Sequence, residues 1–343
     1  MPTNNQDLHT ARVNAADEFY TDYIDIEKEI APDGVWNTYN FYKKRVFCPC
    51  DDWQKSNFYK FFKEHFHDLK LQGLVALSYP STQYVIYDGH REYVVDNDYI
   101  VNADGHIDKE HQDDGDFAGR LSQSIMNNSD VIVTNPPFSL FRKFFTSLLA
   151  SEKEFLILGN INAVTYREVF PSIVENKVWL GHSIHSGDRK FYIPDEYPLN
   201  GTACGTDDNG NRYIRVKGVR WFTNMTYQTQ WINYPLTHLT ESYNAEKYKR
   251  FDDYDAINVN SYKDIPYDYN KQIGCPITII DKMNEDCIIR LDGPNMLQEY
   301  KIVGMLNSGN HPEFYDFKKP IVDKKCKFKR IVIEPILPTS SIE

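Results

Sequence analysis

One junction near the middle of this chain constrains its fold more than any other feature. Val131-Ile132-Val133-Thr134 runs directly into Asn135-Pro136-Pro137-Phe138. The first four residues are apolar or β-branched, as in a strand covered on both faces of a parallel sheet. Two successive prolines then lack backbone N–H groups and fix φ, so the strand must end there. A buried strand that stops at a stiff polar loop puts that loop where open α/β sheets bind ligands, at the carboxyl ends of the strands.

The flanking sequence has the matching rhythm. Residues 46–50 and 74–79 read as strands. Residues 56–66 read as a helix, with Phe58, Phe61, Phe62 and Phe66 on one face. Residues 84–88 and 92–96, around Gly89-His90-Arg91, read as an inserted hairpin. Past the junction, residues 139–150 are helical in pattern, 155–158 form a strand, 166–175 a helix and 177–180 a strand. Strands alternating with helices in this way predict an α/β fold with a doubly wound sheet. After about residue 182 the pattern changes. Residues 213–222 are strand-like, and from roughly 226 onward the sequence reads as loop-rich. A boundary near 230 follows, with residues 1–230 as a catalytic domain and 231–343 as a second region. Within the latter, Lys318, Lys319, Lys324, Lys325, Lys327, Lys329 and Arg330 stand against Asp323 alone, a local charge of 7 − 1 = +6. Such a strip is either a solvated edge or a phosphate-contacting surface.

Composition narrows the function classes. The chain has 343 residues, 41% of them hydrophobic, and a formal charge of −11. That balance excludes a chain disordered throughout and a uniformly basic nucleic-acid coat, but leaves room for a local basic face. No apolar run approaches the roughly 18–20 residues that span a bilayer. The first residues carry neither a basic nor an apolar leader region, so a cytoplasmic location is expected. Cys48, Cys50, Cys204, Cys275, Cys287 and Cys326 are too sparse for a disulfide scaffold and lack zinc-site spacing. They read as reduced, buried, small hydrophobes. His65 and His67 point to different faces of one helix, so no metal site is expected there.

The residue types at the junction suit one chemistry. An exocyclic amine on a purine is a poor nucleophile because its lone pair is delocalised into the ring. If its two N–H groups donate to the Asn135 side-chain oxygen and the Pro136 carbonyl, the nitrogen can become tetrahedral and aim its lone pair at a methyl group. Pro136 and Pro137 hold that carbonyl in place. Phe138 offers a ring on which an extracted base stacks, worth roughly 1–3 kcal/mol. A sulfonium methyl donor needs acidic, aromatic and polar groups of its own. Three segments offer them: Asp17-Glu18-Phe19-Tyr20-Thr21; residues 50–58, with Asp51, Asp52 and Asn57, at the first strand-to-helix turn; and Asp114-Gly115-Asp116-Phe117. Asp51 or Asp52 could instead simply cap the helix, and Asp116-Phe117 could be a plain turn.

These segments, in this order, resemble the EcoRI-type adenine-specific DNA methyltransferases. The similarity continues through Thr134 to Arg142, Trp179-Leu180-Gly181, Trp221-Phe222-Thr223-Asn224, residues 254–260, Lys263-Asp264-Ile265-Pro266 and Pro276-Ile277-Thr278. The resemblance implies transfer of a methyl group from S-adenosyl-L-methionine to adenine N6 in a specific sequence of double-stranded DNA. It also implies a class I methyltransferase sheet with a carboxy-terminal DNA-recognition region, in a protein acting as a monomer in a bacterial or virus-infected cell. Two features depart from the wider superfamily. Residues 51–56 contain no glycine where a glycine-rich cofactor loop is usual, and Ser78-Tyr79-Pro80 stands where a ribose-binding acid is expected. Two other readings remain: an N-methyltransferase acting on RNA adenine or protein glutamine, and an inactive DNA-binding relative.

Overall fold

The computed structural model describes residues 19–31, 38–77, 83–96, 100–101, 107–108, 117–194, 203–226, 236–283, 288–306 and 319–336. The chain divides into two compact units, residues 1–160 with 181–229, and residues 161–180 with 230–343. No helix among the described residues is long and apolar enough to cross a membrane.

In the first unit the elements are β1 (Tyr20–Thr21), α1 (Tyr23–Ile30), β2 (Arg45–Cys48), α2 (Asn57–Glu64), β3 (Gly73–Leu77), β4 (Gln83–Tyr87), β5 (Glu92–Asp96), α3 (Arg120–Asn127), β6 (Val131–Thr134), α4 (Phe141–Ser151), β7 (Glu154–Asn160), β8 (Asp188–Tyr192), β9 (Cys204–Thr206), β10 (Arg212–Lys217) and β11 (Val219–Thr223). Strands β7, β6, β2 and β3 lie parallel and in that order, with Val131 opposite Val46 on one side and Glu154 on the other. All four residues of β6 are buried, as a strand with neighbours on both edges and layers on both faces requires. The hairpin expected around Gly89 forms: β4 and β5 extend the sheet antiparallel beyond β3. At the opposite side β11 joins β7 antiparallel, so the sheet is mixed rather than wholly parallel.

The stretch expected as one strand over 213–222 is two strands in two sheets. β10 lies in a four-stranded antiparallel sheet of order β1-β8-β10-β9, whereas β11 lies in the large sheet. Gly218, at φ 74°, turns the chain between them, a conformation that glycine adopts without steric cost.

Helix α2 starts as its sequence directs. The Ser56 hydroxyl accepts the Phe58 and Tyr59 N–H groups at 3.1 and 3.3 Å, and Phe58, Phe61 and Phe62 form the buried face. Trp221 meets Phe58 edge-on with ring centroids 5.9 Å apart. Many of the chain's aromatic residues are therefore core.

The second unit carries a sheet where the sequence reads as loop. Helix α5 (Phe170–Val174) belongs to it, as do β12 (Ile257–Asn258), β13 (Ile273–Pro276), β14 (Ile288–Asp292), β15 (Leu297–Leu306), β16 (Ile321–Val322), β17 (Lys325–Cys326) and β18 (Arg330–Pro335). Five of these strands form a sheet of order β12-β13-β18-β15-β14, parallel only between β12 and β13. β16 and β17 form a separate two-stranded hairpin. The strand expected at 177–180 shortens to Trp179–Leu180. The expectation that all cysteines are buried also fails. Cys48 and Cys275 are buried, but Cys50 and Cys204 are half-buried and Cys326 is exposed on β17. Cys287 lies outside the described residues.

Candidate active site

The junction between β6 and its loop is held in place by polar contacts from two other segments. Thr134, the last residue of β6, donates its hydroxyl to Asp51 Oδ2 at 2.6 Å, and Ser56 donates to Asp51 Oδ1 at 2.6 Å. Asp51 lies in the turn between β2 and α2 and is buried. Its carboxylate thus ties the start of α2 to the end of β6 through two charge-assisted bonds, each stronger than a neutral one. Just beyond, Asn135 is buried and donates its Nδ2 to the Phe19 carbonyl at 2.7 Å. That bond fixes the amide's orientation. Asn135 Oδ1 is buried and has no hydrogen-bond partner among the described residues. Among the described residues no N–H or hydroxyl donates to the Pro136 carbonyl either, whereas the next carbonyl, Pro137, accepts the Leu140 N–H at 2.9 Å. Two adjacent acceptors are therefore left open by the described residues.

Two residues beyond Phe19, the Thr21 carbonyl accepts Asn57 Nδ2 at 2.7 Å. The Thr21 hydroxyl is buried with no hydrogen-bond partner among the described residues. A buried polar atom left unpaired costs about 1–3 kcal/mol, so such atoms usually have a partner or a role. Here two of them, Asn135 Oδ1 and Thr21 Oγ1, lie on two segments joined by the Asn135–Phe19 hydrogen bond.

An aromatic group stands beside these acceptors. Phe138 is half-buried, with its ring centroid 6.4 Å from Phe19 and 6.1 Å from Phe191. Phe19 and Phe191 are themselves 6.2 Å apart. β1 places Thr21 opposite Phe191 in the small antiparallel sheet. Sequence reasoning missed Phe191 because Arg189-Lys190-Phe191-Tyr192 has a single apolar side chain among polar neighbours.

It also missed Glu29. This α1 carboxylate is fully buried and accepts the His182 and Ser183 N–H groups at 2.9 and 2.6 Å, a few residues before β8. Gly181 is needed for that approach: a Cβ there would sit 2.4 Å from Glu29 Oε1 and 2.4 Å from the Trp221 Cβ. Burial also pushes the imidazole of His182 below its ordinary pKa and the thiol of Cys48, at the end of β2, well above its own.

The remaining expected residues are placed as follows. Tyr20 pairs with Tyr192 across the small sheet. Asp52 accepts the Gln54 N–H at 3.0 Å and lies 3.6 Å from Lys55 Nζ, a local turn arrangement. Phe117 is buried against α4, edge-on to Phe144 at 5.0 Å, with Lys143 Nζ 5.3 Å from its ring centroid. Asp116 and Lys318 lie outside the described residues.

In the second unit the basic strip divides. Lys319, Lys324 and Lys325 are exposed and Lys327 is half-exposed. Lys329 donates to Thr165 Oγ1 at 2.6 Å. Arg330 is buried, bonding Asn258 Oδ1 and the Phe328 and Lys329 carbonyls at 2.9, 2.9 and 3.3 Å. β18 lies between β13 and β15, so its first residue is packed inside a sheet rather than offered to a partner.

A sequence model of the family described as "Adenine-specific methyltransferase EcoRI" matches residues 7–335. The type II methyltransferase M.EcoRI of Escherichia coli is 40% identical over 289 residues, 82% of this chain and 87% of its own. The type II methyltransferase M.MpnI of Mycoplasma pneumoniae is 34% identical over 328 residues, 92% of this chain and 94% of its own. A third relative, M.MgeORF184P of Mycoplasma genitalium, is 31% identical over 271 residues, 78% and 80% of the respective lengths. No solved structure matches the chain. A family match of this extent, with relatives aligned along most of both chains, means that the chain belongs to the EcoRI family of adenine-specific methyltransferases.

Proposed function

We propose that this chain methylates N6 of adenine within a specific sequence of double-stranded DNA, using S-adenosylmethionine as donor. The observation that carries the reading is the Asn135 amide. Its nitrogen is tied to the Phe19 carbonyl and its buried oxygen is left open. Together with the Pro136 carbonyl it offers two acceptors for the two N–H groups of one amino nitrogen. Those two bonds draw density onto the nitrogen and orient its lone pair, and the stiff backbone makes the alignment permanent. Alignment of this kind contributes a large share of a transfer between two bound reactants.

Phe138 supplies a ring face for the target base. A stacked base cannot reach such a loop, so the adenine must turn out of the duplex, at a cost of a few kcal/mol. The bound donor supplies an electrophilic methyl group on a positively charged sulfur. The residues present fit such a group: the open Thr21 hydroxyl, the Phe19 ring and the Asp52 carboxylate are of the right chemical types, and Asp51 and Asn57 organise the turn around them. The tetrapeptide has no titratable side chain, so its residues do not take the proton; the methylated nitrogen releases it after transfer.

The parallel strands β7, β6, β2 and β3, with the turn after β2 and the loop after β6 at their carboxyl ends, support reading the first unit as a class I methyltransferase sheet. The hairpin β16–β17, with its lysines, supports reading the second unit as a DNA-recognition region. We place the protein in the bacterial cytoplasm, acting as a monomer.

The test is expression in a host lacking adenine methylation, with modified adenines mapped genome-wide. Methylation at one recurring sequence, lost in Asn135→Ala, is the expected result. Unmodified DNA from a well-folded chain that binds the donor would overturn the reading.

A further inference from the structure

We propose that Phe328 is a wedge that enters the base stack of the duplex held by the β16–β17 hairpin. The proposal rests on the DNA-methyltransferase reading above and adds a residue that does not take part in methyl transfer.

Phe328 is 60% exposed, yet its backbone is fastened on both sides. On one side is the hairpin. Val322 pairs with Lys325, leaving Asp323 and Lys324 as a two-residue turn with φ values of 50° and 61°. Positive φ at both positions is the turn whose twist matches paired strands. Neither residue is glycine, so each adopts a conformation that costs roughly 1–2 kcal/mol. The turn persists because Asp252 braces it. Its carboxylate accepts the Asp323 and Lys324 N–H groups at 3.2 and 3.0 Å, and its own N–H donates to the Ile321 carbonyl at 2.9 Å. The Lys327 N–H reaches the Pro320 carbonyl at 2.8 Å, extending the ribbon to the residue before Phe328. On the other side is the buried Arg330 guanidinium, bonded to the Phe328 carbonyl at 2.9 Å.

The result is a large apolar ring held outward on a braced backbone. Among the described residues no carboxylate pairs with Lys324, Lys325 or Lys327, so their ammonium groups can reach phosphates. A ring flanked by phosphate-seeking groups suits insertion between base pairs, where the stack replaces water on both faces of the ring. A solvated edge strand would gain nothing from a phenylalanine at this position.

The experiment uses the full chain and duplexes containing the sequence found by methylation mapping. 2-Aminopurine replaces single bases other than the methylated adenine. Wild-type protein is expected to raise the fluorescence at one base step. Phe328→Ala should abolish that rise and weaken binding at least about fivefold, the low end for an aromatic–base stack. Phe328→Trp should restore both. Because the ring is exposed, the melting temperature of Phe328→Ala should match wild type. The companion variant Lys324→Gln/Lys325→Gln/Lys327→Gln should flatten the salt dependence of binding. If Phe328→Ala binds like wild type, or weakens binding without changing fluorescence at any step, the wedge is refuted while a flattened salt slope in the lysine variant upholds the DNA grip. If the lysine variant keeps the wild-type affinity and slope, the grip is refuted and the wedge with it.

Discussion

The loop after β6 and the hairpin β16–β17 are both short turns at strand ends, but they are built in opposite ways. The first is braced by buried side chains: Asp51 holds Thr134, and the Phe19 carbonyl holds the Asn135 amide. It keeps two acceptors open in a dry setting, where each hydrogen bond is strong and each error costly. The second is braced through its backbone by Asp252; its Val322 is buried, while Lys324 and Lys325 face water. There, charges act through a screened medium and their effects add up gradually. On the proposed reading, a site that aligns one atom is rigid and polar inside, and a surface that holds a charged polymer is rigid beneath and free above.

The sharpest way to break this contrast is at Asn135. Asn135→Ala removes one of two aligned acceptors and should lower the rate of methyl transfer by about 10²–10³-fold, as loss of one preorganised polar group does. Donor affinity, measured by calorimetry, should stay near wild type. Loss of donor binding in parallel would mean that Asn135 shapes the donor site instead.

Next in size is Glu29→Ala. It would leave the half-buried His182 and Ser183 N–H groups without their carboxylate and should cost about 1–3 kcal/mol of stability by denaturant unfolding. Because β8 follows that segment and carries Phe191, transfer should fall with stability. A variant of wild-type stability would show that the loop holds itself.

The lysine variant tests the other half. Every phosphate that no longer meets an ammonium group should reduce the slope of log affinity against log salt by about 0.9, with affinity falling in steps rather than collapsing. An abrupt loss from a single substitution would mean that one of these lysines works in a buried, aligned manner like Asn135.

The smallest effect should come from Ser56→Ala. It removes the cap of α2 and one partner of Asp51, for about 1 kcal/mol. Thermal unfolding would measure it, and no change would show that water replaces the hydroxyl.

The strand-to-loop junction at Thr134-Asn135 was legible because its signals are local. A run of β-branched residues makes a buried strand, and two prolines end it whatever surrounds them. Helix α2 was legible for the same reason, with Ser56 as cap and phenylalanines at helical spacing. The second unit's sheet was not. In β15 the register shifts between Ile302 and Gly304, which breaks the alternation that marks a strand, and β12 and β16 have only two residues each. The basic strip was legible as charge but not as function, since Arg330 belongs to a central strand and Lys329 is bonded to Thr165.

The sequence alone determined where the stiff loop lies, which residue types it offers and which family the chain resembles. Backbone sterics and side-chain chemistry act over a few residues, so these needed no partner from afar. Only the tertiary structure decided that Phe19 orients Asn135 from 116 positions away, that Phe191 joins Phe138, and which lysines of the basic strip face solvent. Those outcomes depend on which strands lie side by side, and pairing is set by packing of the whole unit rather than by any one segment.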